Sequence, residues 1–77
     1  MKKARQPLVK VFAANVRAAR QARGWSQDEL AEKARLLHCR LDTLEAGGGS
    51  DVNLANMARL AKALGVDLSE LCRRNRA

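Results

Sequence analysis

The residues that could carry out covalent or metal chemistry are few in this sequence and poorly spaced for it. The only histidine, His38, is followed directly by Cys39, and the second cysteine, Cys72, lies much further along the chain. A structural zinc site needs four ligands and a disulfide framework needs more cysteines, so neither is expected. The glycines at 47–49 are followed by Ser50 and not by the lysine that a phosphate-binding P-loop requires. These patterns argue against an enzyme and predict no cofactor and no metal.

The basic residues, in contrast, are numerous and concentrated near the start of the sequence. Lys and Arg number 15 against 8 Asp and Glu, which gives a formal net charge of +7. Seven of the basic residues precede the first acid, Asp28, and from there onward basic and acidic residues are equal in number. A concentrated basic segment is typical of proteins that bind nucleic acid. We therefore expect a polyanionic partner. The alternative is that the basic residues only keep the protein soluble.

The elements that must position these charges are predicted to be helices. The chain has no Tyr, one Phe and one Trp, and its apolar residues are mostly Ala and Leu, which favour helices over sheets. Seventy-seven residues provide for one small domain. No apolar run reaches the ~18 residues that a membrane span needs. We expect a cytoplasmic protein without a membrane partner, associated with the nucleoid when bound to DNA.

Start and stop signals define the first two helices. The first is predicted to begin at Leu8 and to be ended by Gly24. Ser26 and Glu29 form a capping-box pattern at the start of the second, because each side chain can bind the other residue's backbone N–H. The apolar residues of the first helix recur at helical spacing, namely Leu8, Phe12, Val16 and Ala19.

Similar signals define three further helices. Leu41 and Leu44 give the third helix its buried side, and Asn53 and Gly65 are the predicted start and end of the fourth. The segment 67–70 repeats the capping-box pattern before a last helix that carries Leu68 and Leu71. The inward side of the fourth helix is predicted to consist of Leu54, Met57, Leu60, Ala61 and Leu64.

The stretch from Val16 to Leu71 resembles the Cro/repressor-type (lambda-repressor-like) helix-turn-helix family. The resemblance lies in segments 16–20, 24–27, 30–34, 41–47 and 60–66, with Leu68 and Leu71 behind them. It implies an all-α, compact five-helix bundle in which residues 26–34 and 38–46 are the first helix of the motif and the recognition helix. An α-helix fits the major groove of B-DNA. The predicted organisation is a mobile basic arm at 1–7, a DNA-binding domain at 8–72 with the motif at 26–46, and a frayed basic tail at 73–77.

The resemblance also implies roles for individual residues. Base contacts are expected from His38, Cys39, Arg40, Asp42 and Thr43. A phosphate contact is expected from Gln27, which matches the family's glutamine. Further phosphate contacts are expected from Arg17 and Ser50 and, because of their charge, from the arm residues Lys2, Lys3 and Arg5. Arg20 and Glu45 match a pair of residues that form a structural ion pair between the first and third helices of the family.

Two departures from the family pattern occur in the turn of the motif. Arg35 occupies the position where the family usually has glycine, so we predict a positive φ at a cost on the order of 1 kcal/mol. Leu37 occupies the position of the usual Ser or Thr N-cap of the recognition helix.

These features together predict a sequence-specific DNA-binding transcriptional regulator. One recognition helix makes few base contacts, so we expect a homodimer on a pseudo-palindromic operator with half-sites ~34–36 Å apart. Apolar residues near the end of the chain, Val66, Leu68 and Leu71, are the predicted dimer interface. Because the sequence shows no sensor domain, we expect control of its own gene, as in small restriction–modification controllers or phage and mobile-element repressors. RNA polymerase or a cognate protein would be a further partner.

The alternative is a protein-interaction module, antitoxin-like or an anti-activator, that keeps the helix-turn-helix fold with weakened DNA binding. The unusual residues of the motif, Arg35, Leu37, Cys39 and Asp42, motivate this hypothesis.

Overall fold

The part of the chain that the structure describes forms five short helices that pack around one core. The computed structural model describes residues 8–36, 41–46 and 52–73. Its helices are α1 (Leu8–Ala22), α2 (Gln27–Lys33), α3 (Leu41–Glu45), α4 (Leu54–Leu64) and α5 (Leu68–Leu71). The predicted all-α, five-helix bundle is confirmed. None of the helices in the described part of the chain is long and apolar enough to cross a membrane.

The core is built from the inward sides of α1 to α5. Helix α1 contacts α3, α4 and α5, while α2 packs against α3 and α4. The largest side chains that are completely buried are Phe12, Val16, Leu30, Leu44 and Leu60. Burial of each such side chain stabilises the fold by about 1.5–3 kcal/mol relative to leaving it exposed. The apolar side predicted for α1 includes Leu8, but Leu8 is 48% exposed, so the buried part of that side begins further along the helix.

The helix ends follow local signals in the sequence. At the start of α2, the backbone N–H of Glu29 donates to Ser26 Oγ at 3.0 Å, and the Ser26 N–H donates to Glu29 Oε1 at 2.7 Å. This is the predicted capping box. Gly24 and Gly65 follow α1 and α4 with φ of 71° and 73°, the left-handed conformation that favours glycine.

Helix α4 starts as predicted but buries fewer of its residues than predicted. The side chain of Asn53 accepts the backbone N–H of Asn56 at 3.0 Å and so caps the helix. Leu60, Ala61 and Leu64 are buried and Met57 is half-buried. The prediction that Leu54 faces inward is wrong, because Leu54 is 71% exposed. As the first residue of α4, it lies beyond the part of the helix that packs on the core.

Candidate nucleic-acid interface

The geometry of the motif starts from the cap of α2, which fixes Gln27 as the first residue of that helix. The Gln27 side chain is half-buried, and its Nε2 donates to Glu45 Oε1 at 3.1 Å. Glu45 is the last residue of α3. One hydrogen bond therefore joins the start of the first motif helix to the end of the second.

Glu45 is also the acceptor for an arginine of α1. Arg20 Nε donates to Glu45 Oε2 at 2.7 Å, and Arg20 Nη2 donates to Oε1 at 3.1 Å. The two side chains are only 11% and 3% exposed, so the pair is largely shielded from water. The hydrogen bond from Arg20 to Glu45 raises the pKa of the guanidinium above its ordinary value, although burial acts in the opposite direction.

The third guanidinium nitrogen of Arg20 connects the ion pair to the backbone that precedes α2. Arg20 Nη1 donates to the carbonyl oxygen of Trp25 at 2.7 Å. This forked arrangement needs the planar guanidinium and could not be reproduced by a lysine. Arg20 thus connects α1, the segment leading into α2, and α3, which holds the two motif helices in a fixed relation.

Helix α3, the described part of the predicted recognition helix, has both buried and more exposed residues. Leu41 and Leu44 are buried, Asp42 is exposed and Thr43 is half-buried. The Asp42 carboxylate accepts the backbone N–H of Thr43 at 2.8 Å. Helix α3 thus carries an acceptor carboxylate and a methyl-bearing hydroxyl side chain at successive positions.

Several of the predicted contact residues lie outside the described residues. These are the base-contact residues His38, Cys39 and Arg40 and the phosphate-contact residues Lys2, Lys3, Arg5 and Ser50. The predicted N-cap position, Leu37, also lies outside them. Arg17 is described and is exposed on α1.

Arg35, which follows α2, has the positive φ that the sequence predicts. Arg35 has a φ of 60°, and among the described residues it alone combines a side chain with a positive φ. The N–H of Leu36 reaches back to the carbonyl of Ala31 at 2.8 Å and closes the end of α2. Arg59 Nη1 of α4 donates to the carbonyl oxygen of Arg35 at 3.3 Å.

The predicted dimer interface needs a correction. Leu71 is only 3% exposed, so it belongs to the core of its own chain and offers no apolar surface to a second copy. Its burial follows from the packing of α5 on α1, where Asn15 Nδ2 donates to the carbonyl oxygen of Leu71 at 2.7 Å. Val66 and Leu68 are half-buried.

The hydrogen bond between Gln27 and Glu45 was not foreseen from the sequence. Both residues were identified, but with separate roles as a phosphate contact and as half of an ion pair. The two positions are 18 residues apart, and no local pattern links them. In the structure, Arg20, Glu45 and Gln27 form one connected polar network between α1, α2 and α3.

The comparison with protein families agrees with this geometry. The family model described as Helix-turn-helix matches residues 16–71, the same span that carries the resemblance in the sequence. Searches of curated proteins and of solved structures returned no significant match. The match covers most of the chain, which therefore belongs to the helix-turn-helix family, a family of DNA-binding transcription regulators.

Proposed function

We propose that this protein is a sequence-specific transcriptional regulator that binds a pseudo-palindromic operator as a homodimer and controls its own gene. The observation that carries the proposal is the position of Gln27 in the family motif. It begins α2 and is held by Glu45 of α3. A side chain fixed to both motif helices can set the height and angle of the recognition helix over the groove.

Gln27 is the proposed phosphate contact. Its amide nitrogen carries two N–H donors, and the bond to Glu45 uses one of them. The second can donate to a phosphate oxygen of the DNA backbone. Contacts of this kind position a protein on the duplex without depending on its sequence.

The exposed side of α3 is the proposed base-contact surface. Thr43 offers a methyl group to thymine, and the Asp42 carboxylate can only accept a hydrogen bond, for example from cytosine N4. His38, Cys39 and Arg40, which precede α3 in the sequence, complete the proposed set. His38 or Arg40 would donate to guanine.

The first test is the salt dependence of binding to random duplex DNA. If Lys2, Lys3 and Arg5 all neutralise phosphates, deletion of residues 1–5 lowers the slope of log affinity against log salt by about 2.7, at ~0.9 per contact. A variant with glutamine at these three positions keeps the length of the arm and should give the same decrease. An unchanged slope would mean that the arm makes no phosphate contact, and no salt-sensitive binding at all would overturn the proposed function.

A protein-interaction module is the second candidate, and two exposed residues favour it. Asp42 places a negative charge on the proposed DNA-facing surface, and Leu54 leaves an apolar side chain 71% exposed. The same titration separates the candidates, because a regulator retains salt-sensitive affinity for random duplex and a module that has lost DNA binding does not.

A further inference from the structure

A groove with a volume of about 620 Å³ lies between the end of α2 and the second half of α4. It falls within the ~300–1,000 Å³ range of small-molecule sites. Four of its six lining residues are basic and none is acidic: Lys33, Ala34, Arg35, Arg59, Lys62 and Ala63. We propose that this groove binds a small molecule that carries a chain of linked phosphates.

The four positive charges of the groove are available to a ligand. All four side chains are exposed, and none forms a salt bridge with another residue of the described segments 8–36, 41–46 and 52–73. Like charges that share a concave surface raise the local positive potential and attract a polyanion. A ligand that supplies several negative charges would relieve this repulsion.

Two contacts restrict the side chains of basic residues that line the groove. Arg59 Nη1 donates to the carbonyl oxygen of Arg35 at 3.3 Å, which leaves the other guanidinium donors for a ligand. Lys33 Nζ lies 4.8 Å from the ring centroid of Trp25. This cation–π contact restricts the lysine without neutralising it.

The backbone at Arg35 adds an independent argument. Its φ of 60° is costly for any residue with a side chain, and glycine would adopt it without strain. A strained residue of this kind persists where the surrounding structure or a function requires its side chain. In the proposed site, Arg35 contributes its guanidinium to the groove.

The chemistry of the lining favours phosphates over the carboxylates of an acidic peptide. Two guanidinium groups can bind phosphate oxygens in pairs, and two ammonium groups add point charges. Ala34 and Ala63 leave room for a compact ligand between the charges. An extended peptide spaces side chains of the same face about 7 Å apart, so it would bring fewer charges into this volume.

The groove lies at the opposite end of α2 from Gln27, the proposed phosphate contact. Gln27 and Lys33 are the first and last residues of α2, about 9 Å apart along the helix axis. Binding of a polyphosphate does not depend on the proposed function, and it would occur even if the protein bound no DNA.

Titration of inorganic tripolyphosphate into the full chain at low ionic strength tests the proposal. Trp25 is the only tryptophan, and its contact with Lys33 makes its fluorescence a reporter of the groove. We expect saturable one-to-one binding, confirmed by calorimetry. Lys62→Gln and Arg59→Gln should each weaken it roughly tenfold, the usual effect of losing a hydrogen bond to a charged group. Lys10→Gln is the matched control, because Lys10 is exposed on α1 outside the groove, and it should change affinity less than about twofold.

Three results would overturn the proposal. Equal weakening by Lys62→Gln and Lys10→Gln would mean that only the net charge attracts the anion. Absence of saturation would mean that no site exists. Saturable binding of hexaglutamate without binding of tripolyphosphate would assign the groove to an acidic protein segment. Titration of random duplex in parallel shows whether the proposed DNA-binding function holds, whatever the outcome for the groove.

Discussion

A single carboxylate, that of Glu45, connects three helices of this protein. Its Oε2 accepts from Arg20 of α1, and its Oε1 accepts from both Arg20 and Gln27 of α2. Loss of Glu45 would leave a shielded guanidinium without its counter-charge and release the side chain proposed to contact phosphate. At this residue the stability of the fold and the proposed contact with DNA depend on the same oxygen atom.

The ion pair leads to the first prediction about stability. Arg20→Ala should lower the free energy of unfolding by about 3–5 kcal/mol, because it leaves the buried Glu45 carboxylate without its counter-charge. Arg20→Lys should lie between this variant and the wild type, since it keeps the charge but loses the fork. Urea denaturation measures all three, with Arg17→Ala as an exposed control expected within ~0.5 kcal/mol of wild type.

The pH dependence of the pair is expected to be flat near neutrality. The hydrogen bond from Arg20 to Glu45 raises the guanidinium pKa in the folded state, so its contribution is fully present below the arginine's ordinary pKa. The arginine's contribution is lost as strongly alkaline pH rises through the raised value. A loss of less than ~1 kcal/mol for Arg20→Ala would show that water screens the pair as it screens a surface ion pair.

The left-handed residues of the chain give a second, paired prediction. Arg35→Gly should raise the free energy of unfolding by about 0.5–1 kcal/mol because it removes strain at a φ of 60°. Gly65→Ala should lower it by about 1 kcal/mol, since the added Cβ meets no atom within 4 Å and the cost comes from its φ of 73° alone. Thermal or urea unfolding measures both variants. A decrease for Arg35→Gly would mean that the side chain makes a stabilising contact at the groove.

The helices show which features of the fold a sequence can predict. The cap residues Ser26, Asn53 and Gly65 were predicted correctly, because a cap depends on a few neighbouring residues and their backbone N–H and carbonyl groups. Leu54 and Leu71 were assigned the wrong environment, Leu54 as buried and Leu71 as free surface. Helical spacing predicts which side of a helix is apolar, but it does not predict how far the neighbouring helices cover that side. That coverage depends on contacts between distant parts of the chain.

The candidate site shows the same difference between local patterns, which a sequence reveals, and packing between distant residues, which it does not. The resemblance identified Gln27 and Glu45 individually, since each matches a family position. Their hydrogen bond depends on how α2 and α3 cross, and no local pattern encodes that geometry. The basic groove likewise combines α2 with α4, whose residues lie more than 20 positions apart in the sequence.

The two motif helices should respond differently to substitution, which is the third prediction. Gln27→Ala should weaken binding by a similar factor for the operator and for mutated operators, because a phosphate contact carries no sequence information. Asp42→Ala and Thr43→Ala should each relax the preference at one or two base pairs per half-site, with a cost of ~1–3 kcal/mol on the preferred sequence. Selection of random duplexes by each variant measures the preference.

Asp42 provides the sharpest control within this series. Its negative charge repels phosphates, so Asp42→Ala should raise the affinity for random duplex while it blurs the sequence preference. Recovery of the wild-type site with undiminished preference by both α3 variants would show that this helix makes no specific base contact. The protein-interaction hypothesis would then be favoured.

On the scale of the whole molecule, apolar surface is available at several places, including Leu8 and Val9 at the start of α1. Val66 and Leu68 are half-buried where α4 leads into α5, while Leu54 is 71% exposed at the start of α4. A chain of 77 residues buries a smaller fraction of its surface than a larger domain does, so a second copy could cover any of these places. We favour the pair Val66 and Leu68, which the sequence predicted, with Leu71 excluded by its burial.

The fourth prediction tests this choice by the oligomeric state. Leu68→Asp should shift the protein from dimer to monomer and weaken operator binding at least roughly tenfold, because a monomer contacts one half-site. Since Leu68 also packs on the core, Leu68→Ala provides a milder change that should keep the fold and still raise the dissociation constant of the dimer. Sedimentation measures the oligomeric state, and circular dichroism verifies that each variant is folded. Leu54→Asp is the control and should remain a dimer with unchanged operator affinity. If Leu54→Asp yields a monomer and both Leu68 variants stay dimeric, the interface lies at the start of α4, because the exposed leucine is then the apolar surface that the second copy covers.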